Sequence, residues 1–474
     1  MSTDAIILDP KRLDALLGTA RRELGAFDGE LIAPQDSGYD EARKVYNAMI
    51  DKRPALIARC TGPDDVARAI RFARDHDLSL AVRGGGHNGA GLGTVDDGVV
   101  IDLSPLNVVQ VDPDARTVRV GGGATLGELD RATNAHGLAT PSGIISTTGV
   151  GGITLGGGLG YLTRSCGLAI DNLIAAELVL ANGERVKASA DEHPDLYWAI
   201  RGGGGNFGVV TSFELRLHEV DTVVAGPTFW PVEQTVEVLS VYREFLPSAP
   251  REMYGFFLVG AVPPAAPFPQ ELHTRKVCGI LWHHRGGDEE MAARAMAPLL
   301  DAAPEPLLHG VQPMPHPAIQ SAFDGLYPPG DQWYWRADFV NEVPDEAVEL
   351  HARFGAELPT IKSTMHLYPI DGAAHALAPA DTAWSYRDAT YATVFAGVDP
   401  DPANVDTIRR WSIDYQEALH PYSAGGAYVN MMMDEGSQRV RASYRDNYDR
   451  LARIKARYDP ENLFRINQNI EPKR

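Results

Sequence analysis

The sequence predicts an α+β protein built in two parts, and three observations carry that expectation. The chain has 474 residues, more than one hydrophobic core usually serves, so two domains are expected. Up to about residue 218, short β-rich runs and amphipathic helical segments are separated by glycine clusters at 84–91, 121–123, 143–160 and 202–208. Beyond that point glycine thins, proline and aromatic residues rise, and long strand-like stretches alternate with helices. Such a texture predicts an antiparallel sheet with helices on one side.

Residues 1–40 read as a leading helix, PKRLDALLGTARREL, and a connector. TGPDDVARAIRFARDHD then opens with Thr61 as N-cap, Pro63 in the first turn and two acids near the positive helix end. Val66, Ile70 and Ala73 form its apolar stripe. LSLAV reads as a strand leading into the first glycine loop, and GVVIDL, NVVQVD and TVRVGGG as further short strands. TLGELDRATNAHGL is a helix ending near Gly137. AELVLANGERVKAS is a hairpin around Asn182-Gly183, the signal of a type I′ turn. VVTSFELRL closes the first part. In the second part GPTFWPV, MYGFFLV, ILWHHR and DQWYWRADFV read as strands, and DEEMAARAMAPLLDAA and DEAVELHARFGAEL as helices. SYRDNYDRLARIKARYDPENLFRIN supplies a helix and an ending turn.

Composition removes several classes of function. A formal net charge of -20 argues against nucleic acid or an anionic membrane as partner, since both need basic surface. No uncharged apolar run reaches the ~18 residues of a membrane span. The start, MSTDAIILDPKRLDALL, lacks the basic and apolar regions of a signal peptide. Cys60, Cys166 and Cys278 are too few and too scattered for a disulfide framework. Together these features predict a cytoplasmic protein. The glycines have no fixed period, so no repeat architecture is expected.

Glycine clusters let backbone N–H groups approach an anion closely. No cluster carries the Lys-Ser/Thr of a P-loop. GVGGITLGGGLGYLTRSCGL lacks the preceding strand and following amphipathic helix of a dinucleotide fingerprint. The loops suit a pyrophosphate, but they belong to neither common type.

Four segments in order, RGGGHNGAGLGTVDDGVVIDLSPLN, PSGIISTTGVGGITLGGGLGYLTRSCGLAIDNL, HPDLYWAIRGGGGNFGVVTSFELRL and YDPENLFRINQNI, resemble the signature segments of berberine-bridge-enzyme-like FAD-linked oxidases of the vanillyl-alcohol-oxidase superfamily. The resemblance runs from about residue 50 to the C-terminus. It implies a PCMH-type FAD-binding domain of two α+β subdomains over 1–218, with its core at about 50–218. A substrate domain would follow over 219–425, with an antiparallel sheet flanked by helices. Residues 426–474 would return to the FAD domain. The cofactor would lie between the two subdomains, against Arg83, Gly84, Gly85, Gly86, His87 and Asn88, then Ser142, Gly143, Thr147, Thr148, Gly149, Gly151, Gly152, Gly157, Gly158 and Gly160, and finally Val210, Tyr428, Asn430 and Asn467.

His87 stands where many members join a histidine to the flavin 8α-methyl carbon, so the resemblance implies one covalent 8α-histidyl bond. Many relatives add a cysteine bonded to flavin C6, and the register of the T-x-G-V-G-G segment places Ile145 there. Cys166 lies downstream, in RSCGL, and is expected to be a small buried apolar residue without a second link. Thr148 takes the position held to control oxygen access, where relatives have Val or Ile.

Above the flavin, the family's Y-x-N-Y segment reads AYVNMMM here: Tyr428 and Asn430 are present, and Met431 replaces the second tyrosine. Tyr428 is then the nearest candidate base, unless the substrate is an amine that needs none. In WYWRADFV, Arg336 takes a lysine-like position, with Tyr334 on the same strand face. Arg336 binds an anionic or polar substrate, or raises the acidity of a neighbouring tyrosine, or else forms a structural salt bridge to an acidic cap. Tyr391 and Arg387 are weaker candidates, and Gln468 joins Asn467 in the tail. The aromatic runs serve more often as sheet core than as pocket lining.

The function expected is a flavoprotein oxidase without a metal. It takes a hydride from a carbon bearing a hydroxyl or an amine in a small or medium-sized molecule, and O2 reoxidises the flavin to give H2O2. The alternatives are a dehydrogenase of the same fold with a different electron acceptor, and a flavin-bearing binding protein with little turnover. Expected partners are the small-molecule substrate and O2.

Overall fold

A computed structural model describes residues 18–20, 22–25 and 27–473. The leading helix expected over 10–24 lies largely outside them.

Two small sheets make the first part. In one, the strands run Glu30–Ile32, Leu56–Arg59, Val99–Asp102, Leu80–Arg83, the last three parallel. The helix Pro63–Asp75 crosses between Leu56–Arg59 and Leu80–Arg83. Val66, Ile70 and Ala73 are fully buried, as a stripe at this spacing requires. Its cap differs from expectation. Gly62 is the N-cap, and Thr61 donates its N–H and hydroxyl to Asp65 Oδ2, both at 2.9 Å. The carboxylate one turn in, not the threonine oxygen, holds this helix start.

The second sheet is antiparallel, in the order Val109–Asp112, Thr117–Gly121, Val209–Arg216, Leu173–Val179, Arg185–Ser189. The last pair is the expected hairpin, but its turn is not type I′. Gly183 N–H closes back on Leu180 C=O, and of the loop residues only Gly183 has positive φ, +82°. A type I′ turn needs positive φ at both central positions. The helix Leu126–Asn134 is fixed by a full capping box between Thr125 and Glu128.

The second part is one eight-stranded antiparallel sheet. Its long strands are Thr222–Pro231, Met253–Ala261, Lys276–Arg285, Gln332–Val340, Thr364–Pro369 and Tyr391–Asp399. Side chains alternate between two cores. Phe257, Val259, Met365, Leu367, Tyr391 and Phe395 pack with the helices Thr235–Phe245, Glu289–Ala302, Asp345–Ala356 and Val405–Leu419. Tyr254, Phe256, Leu258, Trp333, Ala337, Tyr368, Val394 and Ala396 face the glycine-rich part. These four helices lie on one side, as expected, while the short helix His316–Gln320 lies on the other, against the helix Leu126–Asn134.

The tail forms the helices Ser437–Tyr444 and Asn447–Tyr458 and then runs back under the first part, where Leu463 and Phe464 join the core of Leu56, Val66 and Ile101. The fully buried Lys455 makes this return specific: its ammonium donates to Asn206 C=O, Phe464 C=O and Asp459 Oδ2 at 2.7, 3.0 and 2.6 Å. Three acceptors and a paired carboxylate offset the cost of burying the charge. Among the described residues no helix is long and apolar enough to cross a membrane.

Candidate active site

A cavity of about 350 Å³ opens between the glycine-rich part and the inner face of the large sheet. Its walls are 82–88, 143–145, 148–149, 151–153, 204–206, 208–210, 428–431 and 466–468, closed above by Phe323, Tyr327, Trp333, Trp335, Thr364, His366, Tyr368, Val394 and Ala396. No Asp, Glu or Lys is among the lining residues.

The first loop packs its glycines against the third cluster. A Cβ on Gly85 would lie 2.3 Å from Gly149 N, and one on Gly149 2.2 Å from Gly85 N. Only glycine at both positions lets the two backbones meet. Gly152 and Gly205 are the converse: both line the cavity, and a Cβ there meets nothing within 4 Å. Arg83 lines the cavity while its guanidinium donates to Asp102 Oδ2 at 2.9 Å.

His87 sits in the wall with its ring flat on Tyr46, centroids 3.9 Å apart. Nε2 is 3.0 Å from the Thr147 hydroxyl and Nδ1 3.4 Å from that of Thr148. Burial pushes the imidazole pKa down to about 4, so it is neutral near pH 7.

Tyr428 lines the cavity but its hydroxyl is engaged. It accepts from Gly158 N–H at 3.0 Å and from Asn430 Nδ2 at 2.7 Å. Burial pushes its pKa up to about 12. Asn430 also donates to Ile153 C=O. Asn467 donates to Phe464 C=O and Gly205 C=O, and its buried Oδ1 has no hydrogen-bond partner among the described residues.

On the sheet face, His366 Nδ1 and the Tyr368 hydroxyl share a hydrogen bond of 2.5 Å. Both side chains are buried and both line the cavity. Burial pushes the His366 imidazole down to about 3 and raises the Tyr368 phenol well above its usual range, with the Tyr161 and Tyr327 phenols adding to the latter. The pair is neutral.

Residues 54–189 match a family model described as an FAD binding domain, and residues 427–471 one described as berberine and berberine like. The (R)-6-hydroxynicotine oxidase of Paenarthrobacter nicotinovorans is 32% identical over 464 residues, spanning 94% of this chain and 97% of that protein. The chain belongs to the berberine-bridge-like FAD-linked oxidoreductases. The crystal structure of 6-hydroxy-D-nicotine oxidase from Arthrobacter nicotinovorans superposes with a TM-score of 0.83 at 28% identity, over 94% of this chain and 98% of that one. Glucooligosaccharide oxidase from Acremonium strictum, whose FAD is 6-S-cysteinyl and 8α-N1-histidyl, shares the fold: TM-score 0.83 at 23% identity, over 96% and 99% of the two chains.

This berberine-bridge-like oxidoreductase departs from several of the positions expected from sequence. Arg83, Gly84–Gly86, His87, Asn88, Gly143, Thr148, Gly149, Gly151, Gly152, Val210, Tyr428, Asn430, Asn467 and Gln468 all line the cavity, and Thr147 abuts it through His87. Ser142, Gly157, Gly158 and Gly160 do not line it. A Cβ on Gly157 would strike Trp384, one on Gly158 Ala169, and one on Gly160 the Ser142 and Gly143 carbonyls. Those glycines admit neighbouring protein. Ser142 Oγ accepts from Gln320 instead.

Arg336 and Tyr334 are also corrected. They share a face, but it is the outer one. Arg336 pairs with the buried Glu435, and Tyr334 lies under Arg409. Trp333 and Trp335, one residue away on either side, point inward. Tyr391 packs on Tyr242 in the helix-side core, and Arg387 is buried in a bidentate pair with Asp171. Ile145 lines the cavity and Cys166 does not. The Cys166 thiol is only partly buried and accepts from Arg285 at 3.2 Å, a more polar setting than expected.

Sequence reasoning missed His366, Tyr368, Tyr46 and the inward tryptophans. His366 and Tyr368 carried a signal: two polar tips at period-two spacing in the apolar run TMHLYP.

Proposed function

We propose that this FAD-linked oxidoreductase is an oxidase carrying one FAD bound through His87. It removes a hydride from a carbon bearing a hydroxyl or an amine in a small or medium-sized molecule, and O2 accepts the electrons to give H2O2. The observation that carries this reading is one cavity lined both by the glycine loops with His87 and by the His366–Tyr368 pair.

The residues fit an FAD. Gly152 and Gly205 leave room at the wall, and among the described residues no carboxylate lines the cavity to oppose a pyrophosphate and Asn467 Oδ1 is a buried acceptor without a partner. FAD, when bound, supplies the hydride acceptor. His87 is suited to the covalent bond because burial keeps it neutral, with a nitrogen lone pair available, while Thr147 and Thr148 steady the ring. Isoleucine at 145 offers no nucleophile, so a single link is proposed.

An alcohol must give up its O–H proton as the hydride leaves, and the acceptor must lie within hydrogen-bond reach. His366 and Tyr368 supply it. Tyr368 passes its hydroxyl proton to the neutral His366 Nδ1 as its oxygen receives the substrate's proton. A neutral amine needs no such transfer. Tyr428 instead pins the glycine loop at Gly158.

Acid-precipitated protein should give a yellow pellet whose flavin peptide maps to His87; a colourless pellet overturns the covalent link. A peroxide-coupled screen of alcohols, sugars and cyclic amines should yield a substrate. With it, Tyr368→Phe should lower kcat about 10²-fold or more, the contribution typical of a positioned proton-transfer group, at unchanged flavin content. Thr148, a polar residue at the position linked to oxygen access, favours a second reading, a dehydrogenase with another acceptor. Anaerobic reduction followed by mixing with air separates the two, since slow reoxidation defeats the oxidase.

A further inference from the structure

Behind the wall that Tyr368 forms lies a second set of polar side chains that does not line the cavity. Tyr161 stacks on His283 with centroids 5.3 Å apart and meets Tyr254 edge-on at 6.2 Å. His283 Nε2 lies 3.2 Å from His316 Nδ1. One turn along the helix His316–Gln320, Gln320 Nε2 donates to Asp130 Oδ2 at 3.1 Å. The set begins beside the active site: the Phe256 ring lies 4.9 Å from that of Tyr368, 6.4 Å from that of Tyr161 and 6.5 Å from that of Tyr254.

All six side chains outside the cavity belong to residues at most 2% exposed. Yet Tyr161 Oη, Tyr254 Oη, His283 Nδ1, His316 Nε2, Gln320 Oε1 and Asp130 Oδ1 have no hydrogen-bond partner among the described residues. Buried polar atoms are ordinarily paired, and where protein does not pair them ordered water does. So many in one seam describe a site built for water.

The seam also has a direction. In the His283–His316 pair the two facing nitrogens are bonded to each other and the two outer ones are unpaired. A neutral imidazole donates from one nitrogen and accepts at the other. A proton arriving at His283 Nδ1 therefore lets the Nε2 proton cross to His316 Nδ1, and the proton on His316 Nε2 departs. Burial keeps both rings neutral and ready for this exchange.

We propose that this seam binds a chain of water molecules, through which His283 and His316 relay the proton taken up at His366–Tyr368 away from the cavity towards Asp130. One proton enters at His283 Nδ1 and one leaves His316 Nε2 through water for the Asp130 carboxylate, whose Oδ1 has no partner among the described residues; no electron moves and no bond to carbon changes. The relay rests on the proposed function for its proton, whereas the water site does not. His283 and His316 are positioning residues, since neither touches the substrate cavity.

Two measurements decide the matter. A high-resolution crystal structure of the flavin-loaded protein should show ordered water bridging Tyr161 Oη or Tyr254 Oη to His283 Nδ1, and water on His316 Nε2. A dry seam overturns the proposal. In anaerobic stopped-flow with a substrate from the peroxide screen, His283→Gln and His316→Asn retain an amide in place of the inner nitrogen but cannot pass a proton. Each should reduce the flavin more than about fivefold slower, a modest part of what proton-transfer groups contribute, with a larger solvent deuterium effect and parental flavin content. Tyr161→Phe, which removes only a hydroxyl, should act in the same direction. Smaller changes in all three overturn the relay. If no substrate reduces the parent protein, the proposed function fails instead, and the crystallographic result alone decides the seam.

Discussion

The imidazole of His87 lies on the phenol of Tyr46, with planes 19° from parallel and centroids 3.9 Å apart. Tyr46 is itself fixed by donating its hydroxyl to Tyr327 C=O at 2.6 Å. His87 is thus held flat by a residue anchored to the loop that roofs the cavity. Tyr46→Phe keeps the stack and should cost about 1 kcal/mol, the worth of one hydrogen bond, with flavin attachment intact. Tyr46→Ala removes a buried ring and should cost about 3–5 kcal/mol and lower the covalent fraction. Thermal melts and flavin in the acid pellet measure the two effects.

Gly85 and Gly152 should respond in opposite ways to alanine. The Gly85 Cβ has nowhere to go between the loops, so Gly85→Ala should destabilise the fold and lose flavin together. Gly152 lies within the helix Val150–Gly156 and faces open cavity. Gly152→Ala should raise stability by about 0.5–1 kcal/mol through helix propensity while reducing flavin content. Equal losses in both variants would contradict the assignment of Gly152 to the cofactor wall.

Arg387 is a structural cation. It bonds Asp171 through both terminal nitrogens at 2.7 and 2.8 Å, and these nitrogens also donate to Thr382 Oγ1 and Ala374 C=O. Arg387→Met leaves the Asp171 carboxylate unpaired and should cost about 3–5 kcal/mol. Adding Asp171→Asn should recover part of that. Urea unfolding of the single and double variants gives the comparison.

Buried neutral histidines should make the protein acid-sensitive. His316, His351 and His366 have pKa values pushed down by burial to about 4, 3 and 3, against ~6.5 in an unfolded chain. The unfolded state therefore binds the extra protons. Stability is full above about pH 6.5 and falls as pH drops towards 4, by up to about 1.4 kcal/mol per pH unit for each such histidine. His351→Gln, which removes one of these groups beside Tyr415, should flatten the slope of urea midpoint against pH. An unchanged slope would refute this origin of acid sensitivity.

Much of this architecture is legible in the sequence because local signals agree with tertiary structure. The Val66, Ile70, Ala73 stripe, the strands around the glycine clusters and the helices over one sheet face all follow from periodicity. What failed was facing. In WYWRADFV alternation puts Arg336 and Tyr334 together, but nothing local says which face looks at the cavity, and the opposite choice exchanges every side chain. Glycine clusters show where backbones approach something, not what they approach. A Cβ would meet the Gly149 backbone at Gly85 and Ala169 at Gly158, and at Gly152 only open cavity. The helix Val150–Gly156 is hidden because glycine erases the 3.6-residue pattern. Tyr46 has no local signal at all, since its role comes from a partner in a different loop.

The return of the tail has a consequence for biosynthesis. His87 and the glycine loops emerge early, and the last strand of the large sheet ends at Asp399. Tyr428, Asn430, Asn467 and Gln468, which complete the cavity, follow only after it. A nascent chain halted at Leu419 has His87 and the large sheet but lacks one wall of the cavity. A protein shortened at its C-terminus should therefore accumulate as flavin-free chain.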